Sequence, residues 1–200
     1  MKKREVCGFG INDAEYQTHK STKNGRKYQR CPFYVRWSDM IKRCYYQKHL
    51  NRNPTYVGCS VCEEWRLFSN FKKWMEQQDW KGKQLDKDIL LKGNKIYSPK
   101  TCIFVTQDVN KLLGDCGRAR GDLPQGVHAC KQCKSKKFRA RFRRGKGTVV
   151  HLGYFKTSEE ASEVYLKAKQ DYILEIAENL KDEDPRLKPA LIRIAENLTD

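Results

Sequence analysis

The stretch Lys137-Phe138-Arg139-Ala140-Arg141-Phe142-Arg143 restricts the fold more than any other part of the chain. Successive side chains of a β-strand point to opposite faces, so Phe138, Ala140 and Phe142 fall on one face and Arg139, Arg141 and Arg143 on the other. The apolar face needs a cover, and the cationic face suits a polyanion, with nucleic acid the expected partner. The neighbouring residues predict strands near 126–131, 137–143 and 148–153, with Gly145-Lys146-Gly147 as a hairpin signal. Thr157-Ser158-Glu159-Glu160 has the T-x-x-E capping-box form, and Ala161, Val164, Tyr165, Ala168 and Tyr172 continue it as an apolar stripe aimed at the Phe138 face. Residues 125–172 are therefore expected to form a three-stranded antiparallel sheet packed on one helix.

Charge supports the polyanion reading. A formal net charge of +17 over 200 residues attracts phosphate in a salt-dependent way, although a solvated lysine-rich surface produces the same excess. No apolar run approaches the ~18 residues of a membrane span, and the basic start is not followed by a signal-type apolar core. No membrane partner is expected, and the expected location is the cytoplasm. Nine cysteines with no export signal predict free thiols or metal ligation in preference to a disulfide framework.

Punctuation and periodicity divide the chain into a basic N-terminal arm (1–30), a helix-rich module (31–113), a glycine-containing linker (114–122), the sheet module (123–180) and a helical tail (181–200). In the helix-rich module, Trp37, Met40, Ile41, Cys44 and Tyr45 fall at helical spacing, as do Leu67, Phe68, Phe71, Trp74 and Met75. Both sets predict amphipathic helices packed together. In the tail, Ile194-Ala195-Glu196-Asn197-Leu198 repeats Ile176-Ala177-Glu178-Asn179-Leu180, with Pro185 and Pro189 between the copies. A short second helix is expected there, folded back or pairing with another chain.

The ordered set Gly126-Val127, Phe138-x-Ala140-x-Phe142, Leu152-Gly153-x-Phe155, Thr157-x-Glu159-Glu160-Ala161 and Tyr165-x-x-Ala168 resembles the APETALA or ethylene-response-factor type of DNA-binding domain. The resemblance implies a sheet laid in the major groove of double-stranded DNA. On that reading Gln125, His128, Arg139, Arg141, Arg143, Val149 and His151 face the groove. Lys134, Lys136, Lys137, Arg144 and Lys146 are placed for phosphates, which position a protein without reading sequence. His151 stands where plant members usually have tryptophan, so their base preference does not transfer.

A second resemblance lies upstream. Leu85-Asp86-Lys87-Asp88-Ile89, Gly93-Asn94-Lys95, Ser98-Pro99-Lys100-Thr101-Cys102-Ile103-Phe104-Val105 and Asn110 resemble a degenerate HNH nuclease core. With Gly10-Ile11-Asn12-Asp13, Cys31-Pro32, Arg43-Cys44-Tyr45 and Glu64-Trp65, the frame looks like bacteriophage HNH or homing endonucleases, which often carry the same sheet module behind the nuclease. The fold class expected overall is α+β.

The resemblance implies a ββα unit around magnesium or manganese, hydrolysing DNA phosphodiesters in a host bacterial cytoplasm. Asp86 matches the acidic ligand, Asn94 the bracing residue, and Cys102 or Asn110 the last ligand. Lys87 occupies the place of the histidine base, and a lysine flanked by Asp86 and Asp88 is held protonated. Strand alternation puts Asp86 and Asp88 on one side, suited to paired metal ligation, or else the three residues form a salt-bridged exposed strand. His19 or His49 is a candidate displaced base.

Cys59 and Cys62 form C-x-x-C where related nucleases keep a structural zinc, with Cys44 and either Cys31 or His49 as further ligands. Cys130 and Cys133 are read as incidental. The alternatives to a nuclease are a catalytically inactive DNA-binding regulator or phage accessory protein, and an RNA binder. The tail is a candidate surface for self-association.

Overall fold

In the first unit the aromatic residues spaced along two helices form the core. Helix α1 (Pro32–Tyr45) begins with a proline at a position whose missing N–H costs nothing, and it buries Trp37, Met40, Ile41 and Cys44. Helix α2 (Gln47–Arg52) buries none of its residues. Helix α3 (Phe68–Glu76) places Phe68, Phe71 and Met75 against the α1 stripe. Trp37 is fully buried and donates its indole N–H to the Trp65 carbonyl at 2.8 Å. Trp65 meets Phe71 edge-on at 5.0 Å.

The structure is a computed structural model and describes residues 4–21, 28–114, 122–130, 135, 137–145, 147–181 and 183–198. The chain divides into two units, Met1–Val105 and Thr106–Asp200. The described part of 1–30, expected as a basic arm, contains two short strand pairs. Strands β1 (Arg4–Val6) and β2 (Gly10–Asn12) form one antiparallel pair, and β3 (His19–Ser21) and β4 (Tyr28–Arg30) form another. Val6, Cys7, Phe9 and Ala14 supply apolar surface that packs on the aromatic core. Gly10 lies so close to Trp37 that a Cβ there would stand 2.8 Å from the indole.

Four short strands complete this unit. Strand β5 (Ser60–Val61) runs parallel to β7 (Ile96–Tyr97), while β6 (Gln84–Asp86) pairs antiparallel with β8 (Ile103–Val105). The division after Val105 puts helix α4 (Gln107–Leu113) with the second unit, although it was expected in the module 31–113. Thr106 caps α4 by accepting the Val109 N–H at 3.3 Å. Of the expected linker, residues 115–121 lie outside the described residues.

The second unit contains the expected sheet. Strands β9 (Val127–Ala129), β10 (Phe138–Arg144) and β11 (Thr148–Phe155) form an antiparallel sheet with β10 in the centre. Register shifts between Ala140 and Arg141, which pair with Gly153 and His151 and leave Leu152 as the extra residue of a bulge. Helix α5 (Ser158–Glu178) packs across all three strands. Thr157 accepts the Glu160 N–H at 3.2 Å, and the Glu160 carboxylate accepts the Lys156 N–H at 3.1 Å, close to the expected capping box.

The buried row of α5 differs from the expected stripe. It runs Ala161, Tyr165, Lys169, Ile173 and Ala177, while Val164 is exposed. Residues four apart stack on one helix face, so Lys169 is carried inward, where Gln125 Oε1 accepts its ammonium at 2.8 Å.

Helix α6 (Leu187–Glu196) folds back on α5, burying Leu187, Ala190, Leu191 and Ala195. The two pentapeptide copies are helix endings. Asn179 and Asn197 are the C-terminal caps, and each side-chain amide donates 2.8 Å to the carbonyl four residues back. Pro189 lies in the first turn of α6, where no intrahelical N–H is required. The apolar face of the tail is thus used within its own chain. Among the described residues no helix is long and apolar enough to cross a membrane.

Candidate nucleic-acid interface

Strand register arranges the exposed face of the second unit in rows. Arg139 lies opposite His128 on β9 and Tyr154 on β11, Arg141 lies opposite His151, and Arg143 lies opposite Val149. On the reverse face Ala140 and Phe142 are buried, and Phe142 meets Tyr165 and Tyr172 edge-on at 5.9 and 5.5 Å. The expected alternation of β10 is therefore present in its burial: Arg143 is exposed, and Arg139 and Arg141 are half-buried.

None of these arginines has an ion-pair partner among the described carboxylates, and Arg139 Nε is buried without a hydrogen-bond acceptor. A buried donor left unpaired costs about 1–3 kcal/mol. His128 has its pKa held below 6.5, by partial burial first and then by the Arg141 and Arg139 charges. His151 leans on Tyr154 with ring centroids 4.7 Å apart. Tyr154 was not among the expected site residues. Alternation in β11 counted without the bulge at Leu152 does not assign it to this face.

Two expected contacts are engaged elsewhere. Gln125 is tied down, accepting from Lys169 and donating to the Gly114 carbonyl at 3.3 Å. Arg144 turns to α5, where its guanidinium pairs with Glu175 and lies 5.2 Å from the Tyr172 ring centre. Its position at the end of β10 brings it over the helix. Lys137 is exposed, whereas Lys134, Lys136 and Lys146 lie outside the described residues.

In the first unit, Asp86, Lys87, Asp88 and Asn94 gather in one loop. Strand β6 ends at Asp86, because its Oδ1 accepts the N–H groups of Asp88 and Ile89 at 2.7 and 2.9 Å and so bends the chain. Asp88 thus lies beyond the strand, and the expected same-side alternation of Asp86 and Asp88 does not form. Lys87 is buried, and its ammonium donates to both Asp88 oxygens at 2.7 Å and to the Asn94 carbonyl at 2.8 Å.

Asn94 closes the loop from the other side. Its amide donates to the Lys87 and Ile96 carbonyls at 2.8 and 2.7 Å, and its oxygen accepts the Ile96 N–H at 3.2 Å. Replacing Asn94 by alanine removes three bonds at a largely buried position, with an expected cost of about 2–3 kcal/mol. Thermal unfolding of the Asn94→Ala chain measures it; an unchanged midpoint would show that the brace contributes nothing. Asn110 lies on α4, in the second unit.

Burial raises the Asp86 pKa, offset in part by its two backbone donors. Burial also pushes the Cys102 thiol up to about 12, and the nearby Asp86 and Cys62 add to the rise. Among the described residues no group of three or more His, Cys, Asp or Glu side chains is arranged to hold a metal ion. Asp88 is committed to Lys87 and one Asp86 oxygen to the backbone, which leaves the other Asp86 oxygen as the carboxylate atom of the pair outside these bonds.

The cysteines expected to bind zinc lie in or against the aromatic core, with Cys44 and Cys59 close enough to act on each other. Cys31 Sγ lies 3.7 Å from the Tyr16 hydroxyl, Cys44 and Cys59 are buried in the core, and Cys62 is half-buried. Burial pushes the Cys44 thiol up to about 12. His49 packs against Tyr56 with ring centroids 5.4 Å apart, and His19 Nδ1 lies 3.5 Å from the Thr18 hydroxyl. Cys130, read as incidental, is disulfide-bonded. Comparison of the chain with protein-family models, with curated proteins and with solved structures gives no match.

Proposed function

We propose that the protein binds double-stranded DNA through the exposed face of β9, β10 and β11. The observation that carries this reading is the row Arg139, Arg141 and Arg143 on the central strand, with no ion-pair partner among the described carboxylates. Guanidinium groups on a β-surface reach phosphates and the O6 and N7 acceptors of guanine, and each paired contact to guanine discriminates by about 1–3 kcal/mol. Titration of the full chain with duplex DNA and with duplex RNA at matched salt tests the reading. Salt-dependent preference for DNA supports it, and equal or stronger RNA binding transfers the surface to an RNA partner.

A second reading, metal-dependent hydrolysis of the bound DNA, is favoured by one observation. Asn94 braces the loop that leads out of β6 and back towards β8, and a bracing Asn is what the HNH resemblance implies at this residue. The commitment of Lys87 to Asp88 and Asn94 weighs against it. With magnesium or manganese present, the full chain is expected to bind supercoiled DNA without nicking it. Nicking that Asp86→Ala abolishes would establish the hydrolase instead.

A further inference from the structure

The expected groove-facing residues include two of the chain's four histidines, His128 and His151, and they differ in their electrostatic surroundings. His128 is exposed on β9, cross-strand from Arg139. The charged neighbours acting on it are both arginines of β10, Arg139 and Arg141, and Lys137 stands exposed one residue before the same strand. From beneath, α5 meets the β9 segment through Tyr165, whose ring lies against Gly126, and through Lys169, whose ammonium is bound to Gln125. Among the described residues no carboxylate is seen to act on the imidazole. His151 by contrast sits against the Tyr154 ring on β11.

An imidazole close to two guanidinium groups resists taking on a positive charge. The resistance disappears when an anion arrives, because a phosphate close to Arg139 and Arg141 neutralises the charges that opposed protonation. We propose that His128, Arg139 and Arg141 form one anion site that takes up a proton as it engages a DNA phosphate. This rests on the DNA-binding reading and adds the proton to it.

The two expected pH effects have opposite signs. In the free chain the folded-state pKa of His128 lies below 6.5, so the unfolded chain binds the proton more readily. The stability contributed by this group falls as pH drops through 6.5 and levels off below the depressed value. In the complex the proton is favoured, so DNA affinity rises as pH falls.

The test uses the full chain and a DNA duplex at constant ionic strength between pH 7.5 and 5.5. Uptake of one proton gives at most about a tenfold gain in affinity per pH unit, and the wild type is expected to approach that slope over part of the range. His128→Asn is expected to lose most of the slope, whatever its affinity at pH 7.5, while His151→Asn keeps it. Calorimetry in buffers of different ionisation enthalpy is expected to show proton uptake on binding in the wild type and its loss in His128→Asn. A flat wild-type profile, or equal slopes in both variants, would overturn the proton-coupled site and leave the DNA-binding reading standing. Absence of salt-sensitive binding at every pH would remove both.

Discussion

Replacing Arg139, Arg141 and Arg143 together by alanine is expected to lower DNA affinity by about a thousandfold at ~100 mM salt and to flatten the salt dependence by roughly three counterions. The estimate assigns each guanidinium the lower part of the energy range for a charged contact to phosphate or base. Folding should be unaffected, because the arginines lie on the face away from Phe142, Tyr165 and Tyr172 and none is in an ion pair with a described carboxylate. Fluorescence anisotropy across a salt series measures both quantities. An affinity within about threefold of wild type would remove this face as the interface. Arg144→Ala is the matched control: its charge is already occupied by Glu175, so its loss in DNA affinity should be much the smaller.

Gly126→Ala is expected to unfold most of the second unit. Gly126 has φ +75°, a backbone conformation that disfavours any side chain, and an added Cβ would lie 2.1 Å from the Tyr165 ring. Tyr165 is itself buried and packed edge-on against Phe142, so it has little room to retreat. Backbone strain and steric overlap together should cost about 3 kcal/mol or more, a large share of the stability of a unit this size. Circular dichroism melting would show loss of the second unit's transition with the first unit's retained. A midpoint within about 2 °C of wild type would contradict the close contact.

The second unit was largely legible in the sequence, because one strong alternation, one capping box and one hairpin signal agree about the same sheet and helix. Less legible were the residues whose roles depend on distant partners. Gln125 looks like a groove contact until Lys169, buried by the four-residue periodicity of α5, is seen to use its amide. Arg144 continues the basic run in sequence, but its place at the strand end brings it over Glu175.

The first unit was less legible. Helices α1 and α3 follow from aromatic spacing, whereas the strand pairs of the first thirty residues are too short to announce themselves by pattern. At Asp86-Lys87-Asp88 the alternation rule assumes a continuous strand. The Asp86 side chain ends that strand by binding the next backbone N–H groups, a local competition that period-two counting does not register.

The latch between Arg144 and the helix residues Glu175 and Tyr172 also affects how the sheet can meet a ligand. It ties the far end of β10 to the helix, which limits how far that end of the guanidinium comb can swing to follow an irregular surface. Little ordering entropy is then lost by the protein on association. Adaptation falls to the duplex, and sequences whose steps bend or widen at low cost are favoured even at positions no side chain touches.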